Sequence, residues 1–122
     1  MKRGHAAVVL VAAVAWFASA PAAAHAFLDH AVPAVGSTLH ESPQSIRLWF
    51  TEQLEPAFSH VQVVDASGKA IDKGDSHVDA SNASVLTVTV PALAAGKYRV
   101  QWRVVSVDTH VTEGDFTFEI KP

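Results

Sequence analysis

Hydrophobic and polar residues alternate along most of the chain after residue 25, which is the pattern of β-strands with one buried face. The clearest case is Tyr98–Val105, where every second residue up to Val104 is apolar and the residues between are polar or basic. Segments 43–51, Val85–Val90 and Gly114–Ile120 show the same period of two. The predicted inward-facing residues are Ile46, Leu48, Phe50, Leu86, Val88, Val90, Tyr98, Val100, Trp102, Val104, Phe116, Phe118 and Ile120.

Shorter extended pieces and turns lie between these strands. A piece at 26–33 ends at Pro33, and His60–Val64 is a further strand, whereas residues 52–56 are expected to form a loop. The polar segment 72–84 is predicted to be an exposed connection. About seven short strands, with no convincing helical period after residue 24, predict an all-β fold, an antiparallel sandwich or barrel.

Two positions depart from simple alternation. Val104 and Val105 are adjacent β-branched residues, which shifts the phase of the strand and predicts a bulge or bend there. Trp49 is predicted on the outward face of its strand, where it is either a partner contact or covered by a barrel that wraps around it.

Residues 1–24 have the features of a secretory signal peptide. Lys2 and Arg3 precede a short apolar run, and Ala22–Ala24 fits the small-residue pattern at which signal peptidases cut. The run is short for a membrane span, which needs ~20 apolar residues, although an uncleaved anchor is the alternative. We expect cleavage after Ala24, which leaves a single domain of residues 25–122 that begins at His25 and does not span the membrane.

Charge and composition narrow the class of function. Two of the 9 Lys and Arg residues lie in the signal segment, so residues 25–122 carry 7 basic and 12 acidic side chains, a formal charge of −5. Without a basic stripe, nucleic acid is not an expected partner. The chain has no Cys, and its one Met is Met1, so neither disulfides nor sulfur ligands are available after cleavage.

His25, Asp108 and His110 are the candidate metal ligands. In an extended strand the side chains of Asp108 and His110 point to the same side. An N-terminal His25 adds its α-amine and its ring, and the amine has an ordinary pKa of ~7.7–8.0, so a metal can displace its proton near neutral pH. Three nitrogens and one oxygen in a tetragonal arrangement suit Cu(II), with zinc as the main competitor.

Other candidate sites have weaker patterns. Asp75 and His77 form a second Asp-x-His pair, but in the most polar segment of the chain, where a solvated loop is the expected structure. Ser106, Asp108 and His110 are not expected to form a catalytic triad, because residues two apart in a strand are separated by ~6.6 Å. The other histidines, His30, His40 and His60, have no ligand spacing among themselves.

Several motifs together resemble the CopC family of periplasmic copper-binding proteins. The N-terminal part is His25-Ala26-x-Leu28 with Pro33-Ala34, followed by Leu48-x-Phe50-Thr51-Glu52. The C-terminal part is Gly96-x-Tyr98-x-Val100-x-Trp102-Arg103, then Ser106-x-Asp108-x-His110 and Gly114-x-x-x-Phe118. The resemblance covers essentially all of residues 25–122.

The resemblance implies a Greek-key, immunoglobulin-like β-sandwich or barrel that binds one Cu(II) through His25, Asp108 and His110. It also implies that Glu52 is a nearby carboxylate with a weak or outer role, and that the domain is a periplasmic copper carrier or buffer. The implied partner is an inner-membrane copper transporter resembling CopD, and we expect a monomer that is not an enzyme. Family members with two sites also carry a Met-rich stretch for Cu(I), so this chain is similar to the Cu(II)-only type.

Two other functions stay open at this point. An N-terminal His with a further His also resembles the histidine brace of copper monooxygenases, although a carboxylate ligand such as Asp108 favours Cu(II) and resists its reduction. A metal-free immunoglobulin-like interaction domain would need only the strand pattern.

Overall fold

The computed structural model describes residues 25–122, so the predicted signal peptide and its cleavage lie outside the described residues. It contains eight strands and one short 3₁₀ helix at Pro56–Phe58. The strands are β1 Leu28–Val32, β2 Thr38–Leu39, β3 Ser45–Phe50, β4 His60–Val64, β5 His77–Val78, β6 Val85–Thr89, β7 Gly96–Val105 and β8 Val111–Ile120. No helix in the described part of the chain is long and apolar enough to cross a membrane.

The strands form two four-stranded sheets that pack face to face, with the orders β1-β3-β6-β5 and β2-β8-β7-β4. The pairing of β3 with β6 in one sheet and of β4 with β7 in the other is the Greek-key arrangement of an immunoglobulin-like sandwich. The predicted all-β sandwich is therefore confirmed. One pairing departs from the antiparallel prediction, because β2 runs parallel to β8.

Apolar side chains from both sheets fill the space between them. Every second residue of β3 is buried, and the facing residues of β6, β7 and β8 complete one continuous core. Of the predicted inward-facing residues only Trp102 is not classed as buried; it packs against the core from its edge. With no cysteine to cross-link the chain, burial of this core is the main stabilising term.

The predicted bulge at Val104–Val105 is wrong. The ladder between β7 and β8 continues without a shift to the pair Val105–Val111. Val104 enters the core, whereas Val105 is buried on the opposite face because the 55–59 segment covers it: the Glu55 N–H donates to the Val105 carbonyl at 2.7 Å. The register shift in this fold lies in β1, between Leu28 and His30.

The 72–84 connection is more structured than predicted, since it contains the short strand β5. Its polar side chains also bind the exposed edge of β4. The Val61 N–H donates to the Ser76 hydroxyl at 2.8 Å, and the Val63 N–H donates to the Asp72 carboxylate at 2.9 Å. These bonds occupy edge groups that would otherwise be open to pairing with another chain.

Trp49 lies on the outer face of its sheet, as predicted from the alternation. Its indole stacks on the His30 ring, with the ring centroids 4.5 Å apart and the planes at 12°, and the Arg47 guanidinium carbon lies 5.4 Å from the indole centroid. Neighbouring side chains of the same face therefore cover the indole.

Gly114 is required by the indole of Trp102, its partner across the β7–β8 ladder. A Cβ atom at residue 114 would lie 2.3 Å from Cζ2 of Trp102, which is far inside van der Waals contact. The indole also meets the Phe50 ring edge-on, at 5.1 Å between centroids. Glycine thus makes room for an aromatic pair beneath the end of the sandwich where β3 and β7 finish.

Candidate metal centre

Asp108 and His110 lie in the tight turn that joins β7 to β8. The Thr109 N–H donates to the Ser106 carbonyl at 2.8 Å, and the Ser106 N–H donates to the His110 carbonyl at 2.9 Å. Thr109 has a φ of +72°, in the left-handed region. A turn followed by one left-handed residue is a common three-residue hairpin loop. The expectation of an extended Asp-x-His pair is therefore wrong.

The turn brings the two predicted ligands into direct contact. One oxygen of the Asp108 carboxylate lies 3.2 Å from Nδ1 of His110. The two side chains are 41% and 47% exposed respectively, so an ion from solvent can reach them. With Nδ1 facing the carboxylate, Nε2 of His110 is the nitrogen left for a metal in this arrangement.

Ser106 holds the other oxygen of Asp108. The serine is fully buried, its hydroxyl donates to Oδ1 of Asp108, and the His110 N–H lies within 3.3 Å of the same hydroxyl oxygen. The Ser106 hydrogen bond, with a smaller contribution from His110, holds the pKa of Asp108 below its ordinary value. These contacts therefore favour the ionised carboxylate, which is the form that binds a cation.

The same contacts show whether Ser106, Asp108 and His110 have the arrangement of a catalytic triad. The expected separation of ~6.6 Å for residues two apart in a strand does not apply here, because this segment turns. However, the order of contacts is serine to carboxylate to histidine, whereas a nucleophilic triad needs the histidine between the other two. The buried serine hydroxyl is a donor to Asp108 and not a nucleophile.

Residues 25–27 are held between the two sheets at this end of the sandwich. Ala26 is fully buried, and its carbonyl accepts a hydrogen bond from the Thr112 hydroxyl at 2.7 Å. Thr51 accepts from the Phe27 N–H at 2.9 Å and donates to the His25 carbonyl at 3.3 Å. Thr51 lies in the motif Leu48-x-Phe50-Thr51-Glu52, but no sequence pattern predicted this role for either threonine, because Thr is frequent on exposed strand positions.

These bonds place His25 beside His110. The two imidazole rings lie 4.7 Å apart between centroids, with an angle of 58° between the planes. The Phe27 ring flanks His25 at 5.9 Å. The residues predicted at the two ends of the chain are therefore neighbours in the structure.

The side chains of the described residues do not by themselves form a complete metal site. No group of three or more His, Cys, Asp or Glu side chains in residues 25–122 is arranged to hold a metal ion. Glu52 follows Thr51 at this end of the sandwich and is half-buried, but its carboxylate makes no hydrogen bond or ion pair within the described chain. The roles of His25, Asp108, His110 and Glu52 as copper ligands stay predictions. The predicted set also includes the α-amine of His25, which is not a side-chain donor.

The second Asp-x-His pair has a structural role. Both oxygens of Asp75 accept hydrogen bonds from Thr89, one from its N–H at 2.9 Å and one from its hydroxyl at 2.5 Å. The His77 ring instead contacts the Asp75 backbone carbonyl at 2.8 Å. The carboxylate therefore faces β6 and not the imidazole. His30 and His40 likewise contact Asp29 and the Lys121 carbonyl.

Comparison with known families identifies the domain. A family model described as the CopC domain matches residues 28–121. Copper resistance protein C from Xanthomonas campestris pv. juglandis is 35% identical over 120 residues, covering 93% of this chain and 92% of that protein. YobA from Escherichia coli K12 is 35% identical over 99 residues, which are 80% of each chain.

One relative is much longer than this chain. The copper transport protein CutJ from Bacillus subtilis is 29% identical over 98 residues, which are 80% of this chain but 18% of CutJ. A segment similar to this domain is thus one part of a larger polypeptide in that protein.

Solved structures show the same fold. The crystal structure of CopC from Methylosinus trichosporium OB3b superposes with a TM-score of 0.72 at 36% identity, covering 80% of this chain and 95% of that one. PcoC from Escherichia coli, described as a methionine-rich copper resistance protein, gives a TM-score of 0.71 at 31% identity, with 80% and 100% covered. Met1 is the single methionine of the present chain, so it does not share that richness.

Proposed function

Because this chain belongs to the CopC family, whose members include copper resistance and copper transport proteins, we propose that it is a periplasmic Cu(II) carrier or buffer. In this proposal, residues 1–24 direct export and are removed. The processed chain binds one Cu(II) through the α-amine and ring of His25, the ring of His110 and the carboxylate of Asp108, with Glu52 nearby. It binds and delivers the ion without catalysing a reaction.

The contact between His25 and His110 is the observation that carries the proposal. Their rings lie 4.7 Å apart, and three hydrogen bonds with the hydroxyl groups of Thr51 and Thr112 hold the backbone of residues 25–27 in place. The residue that would become the amino terminus is therefore fixed beside the second imidazole. In the proposal, the two rings and the α-amine of His25 bind one ion.

The chemistry of the donors favours Cu(II) over Cu(I). Nitrogen and carboxylate oxygen suit Cu(II), whereas Cu(I) prefers thiolate or thioether, and residues 25–122 contain no sulfur. The Ser106 hydrogen bond that lowers the pKa of Asp108 favours its ionised form, which attracts a divalent cation. Zinc accepts the same donors but lies below Cu(II) in the affinity order.

The test is a competitive Cu(II) titration with EPR spectra on processed protein, whose first residue is established by N-terminal sequencing. We expect one equivalent to bind with nitrogen hyperfine structure, and His110→Ala to weaken binding strongly. A one-residue extension before His25 keeps the ring but removes its chelate with the amine, and should weaken binding as well. His77→Ala is the matched control.

Three results would contradict the proposal. They are binding no tighter than that of free histidine, binding unchanged by the extension, and a protein that begins at Ala26 when purified from the periplasm.

The proposed partner is an inner-membrane copper transporter resembling CopD that receives copper from a monomeric chain. CutJ supports a physical association of this kind, because a copper transport protein there includes a segment similar to this domain as 18% of its length. We propose that this chain and its transporter are the same two components on separate polypeptides. Co-purification with a membrane transporter that depends on copper loading would test the pairing.

A further inference from the structure

Large hydrophobic side chains are exposed around the candidate metal centre. Six such residues are exposed in residues 25–122, and four of them lie at this end of the sandwich. We call them the apolar collar: Phe27, Phe58, Val107 and Val111, which are 58%, 62%, 51% and 47% exposed. Val32 and Val35 are at the opposite end. Exposed apolar residues that cluster in this way commonly mark an interaction site.

Three members of the apolar collar lie close to predicted ligands. The Phe27 ring lies 5.9 Å from that of His25, while Val107 and Val111 flank the turn that contains Asp108 and His110. The Val107 N–H also donates to the Gln53 carbonyl at 3.0 Å, which ties this turn to the loop after β3.

Phe58 extends the apolar collar along the outer face of β7. It lies in the 3₁₀ helix, and its N–H donates to the Glu55 carbonyl at 3.2 Å. Glu55 is in turn bonded to Val105, the last residue of β7. The short helix therefore holds the exposed Phe58 near the end of β7, and none of the predicted ligands is hydrogen-bonded to the helix.

The charge around the apolar collar is negative. The segments 25–30, 50–60 and 105–112, which build this end, contain no Lys or Arg but include Asp29, Glu52, Glu55 and Asp108. Arg103, opposite His60 in the ladder between β4 and β7, is paired with Glu113 at 3.4 Å. A second copy of the chain would bring like charges together, and an anionic lipid surface would be repelled. A partner surface that complements the apolar collar is therefore apolar at its centre and basic at its rim.

We propose that the apolar collar is the docking surface for a copper-exchanging protein that presents an apolar face ringed by Lys or Arg. This inference rests on the proposed function, with the transporter as the protein that docks. Contact around His25 and His110 would exclude water from the ion and bring the partner's ligands to it. The apolar side chains supply the binding energy, and the acidic residues orient the approach.

The first part of the test locates the contact in living cells. A photo-crosslinking residue is placed at position 58 or 107, and at position 35 as a control of comparable exposure at the other end. We expect adducts with one membrane protein from positions 58 and 107 but not from 35. No adduct, equal adducts from all three positions, or an adduct with a second copy of this chain would overturn the proposal.

The second part measures transfer to that membrane protein, purified and placed in nanodiscs. We expect Phe58→Ser to weaken its complex with the Cu(II)-loaded chain, or slow copper transfer, by at least about tenfold, as for a central interface aromatic. Val35→Ser should leave both unchanged. Equal transfer by wild type and Phe58→Ser would refute the docking surface.

Cu(II) titration of the same variants separates this inference from the proposed function. If Phe58→Ser binds Cu(II) as wild type does but transfers it poorly, both proposals stand. If wild type itself does not bind Cu(II), the proposed function fails whatever the crosslinks show.

Discussion

The imidazole ring of His25 lies 4.7 Å from that of His110, measured between centroids. One ring belongs to the first described residue and the other to the turn before the last strand. Their proximity depends on Thr51, the residue after β3, and on Thr112 of β8, which bind the backbone of residues 25–27 from opposite sheets. The predicted site therefore depends on the folded sandwich, because His25 and His110 are far apart in an unfolded chain.

Ser106→Ala should raise the pKa of Asp108, because the serine hydroxyl is the main group that lowers it. Because Ser106 donates to Oδ1 of Asp108, a predicted ligand, the loss of this hydrogen bond should also weaken Cu(II) binding by ~10–100-fold. NMR titration of the Asp108 carboxyl carbon and competitive Cu(II) titration measure the two effects. Ser67→Ala, which removes a hydroxyl far from the turn, is the control; an unchanged Asp108 titration in Ser106→Ala would show that the hydrogen bond is unimportant.

Thr109→Asn should increase the free energy of unfolding by about 0.5–1 kcal/mol, because Asn tolerates the left-handed region better than a β-branched residue. Urea denaturation measures the change. Thr109→Ala removes the same hydroxyl but leaves a residue that is also strained at positive φ, so it should show no gain. Equal stability of the Asn and Ala variants would mean that the backbone conformation at this position is not strained.

The stability of the domain should fall as the pH drops below about 4. Hydrogen bonds from Thr89, Ser67, Ser81 and Ser106 lower the pKa values of Asp75, Asp65, Asp79 and Asp108, respectively. A carboxyl group with a lower pKa when folded stabilises the fold above its unfolded pKa of ~3.9. That contribution is lost as the pH falls through the folded value.

Variants of Asp75 and Thr89 test the predicted loss of stability at low pH. Asp75→Asn and Thr89→Val should each reduce the loss of stability between pH 5 and pH 2.5, and the double variant should reduce it no further, because both remove one interaction. Denaturation at each pH measures the slope. Additive effects of the two substitutions would contradict this assignment.

Gly114→Ala should destabilise the fold by about 1–3 kcal/mol, because the added methyl group overlaps the indole of Trp102. Thermal or urea unfolding measures the loss. Asp115→Ala, at the next and exposed position of β8, is the matched control for the change to alanine. Addition of Trp102→Leu should recover part of the stability in the double variant, and a failure to recover any would place the cause elsewhere.

Much of the fold was predictable because a strand with one buried face has a local signature. The alternation in β3, β7 and β8 correctly identified the core residues, and the same pattern placed Trp49 outside. The short strands β2 and β5 were not predicted, since two residues carry no period. They form only because a neighbouring strand offers free backbone groups.

The sequence alone determined the kinds of donor available: histidine and carboxylate at recognisable motifs, with no sulfur after Met1. Only the tertiary structure decided that His25 meets His110, that the Asp108 segment turns instead of extending, and that Val105 and Ser106 are buried. The physical reason is the distance along the chain over which each kind of interaction acts. Periodicity and residue chemistry act along the chain, whereas these contacts depend on strand pairing and on packing between residues far apart in sequence.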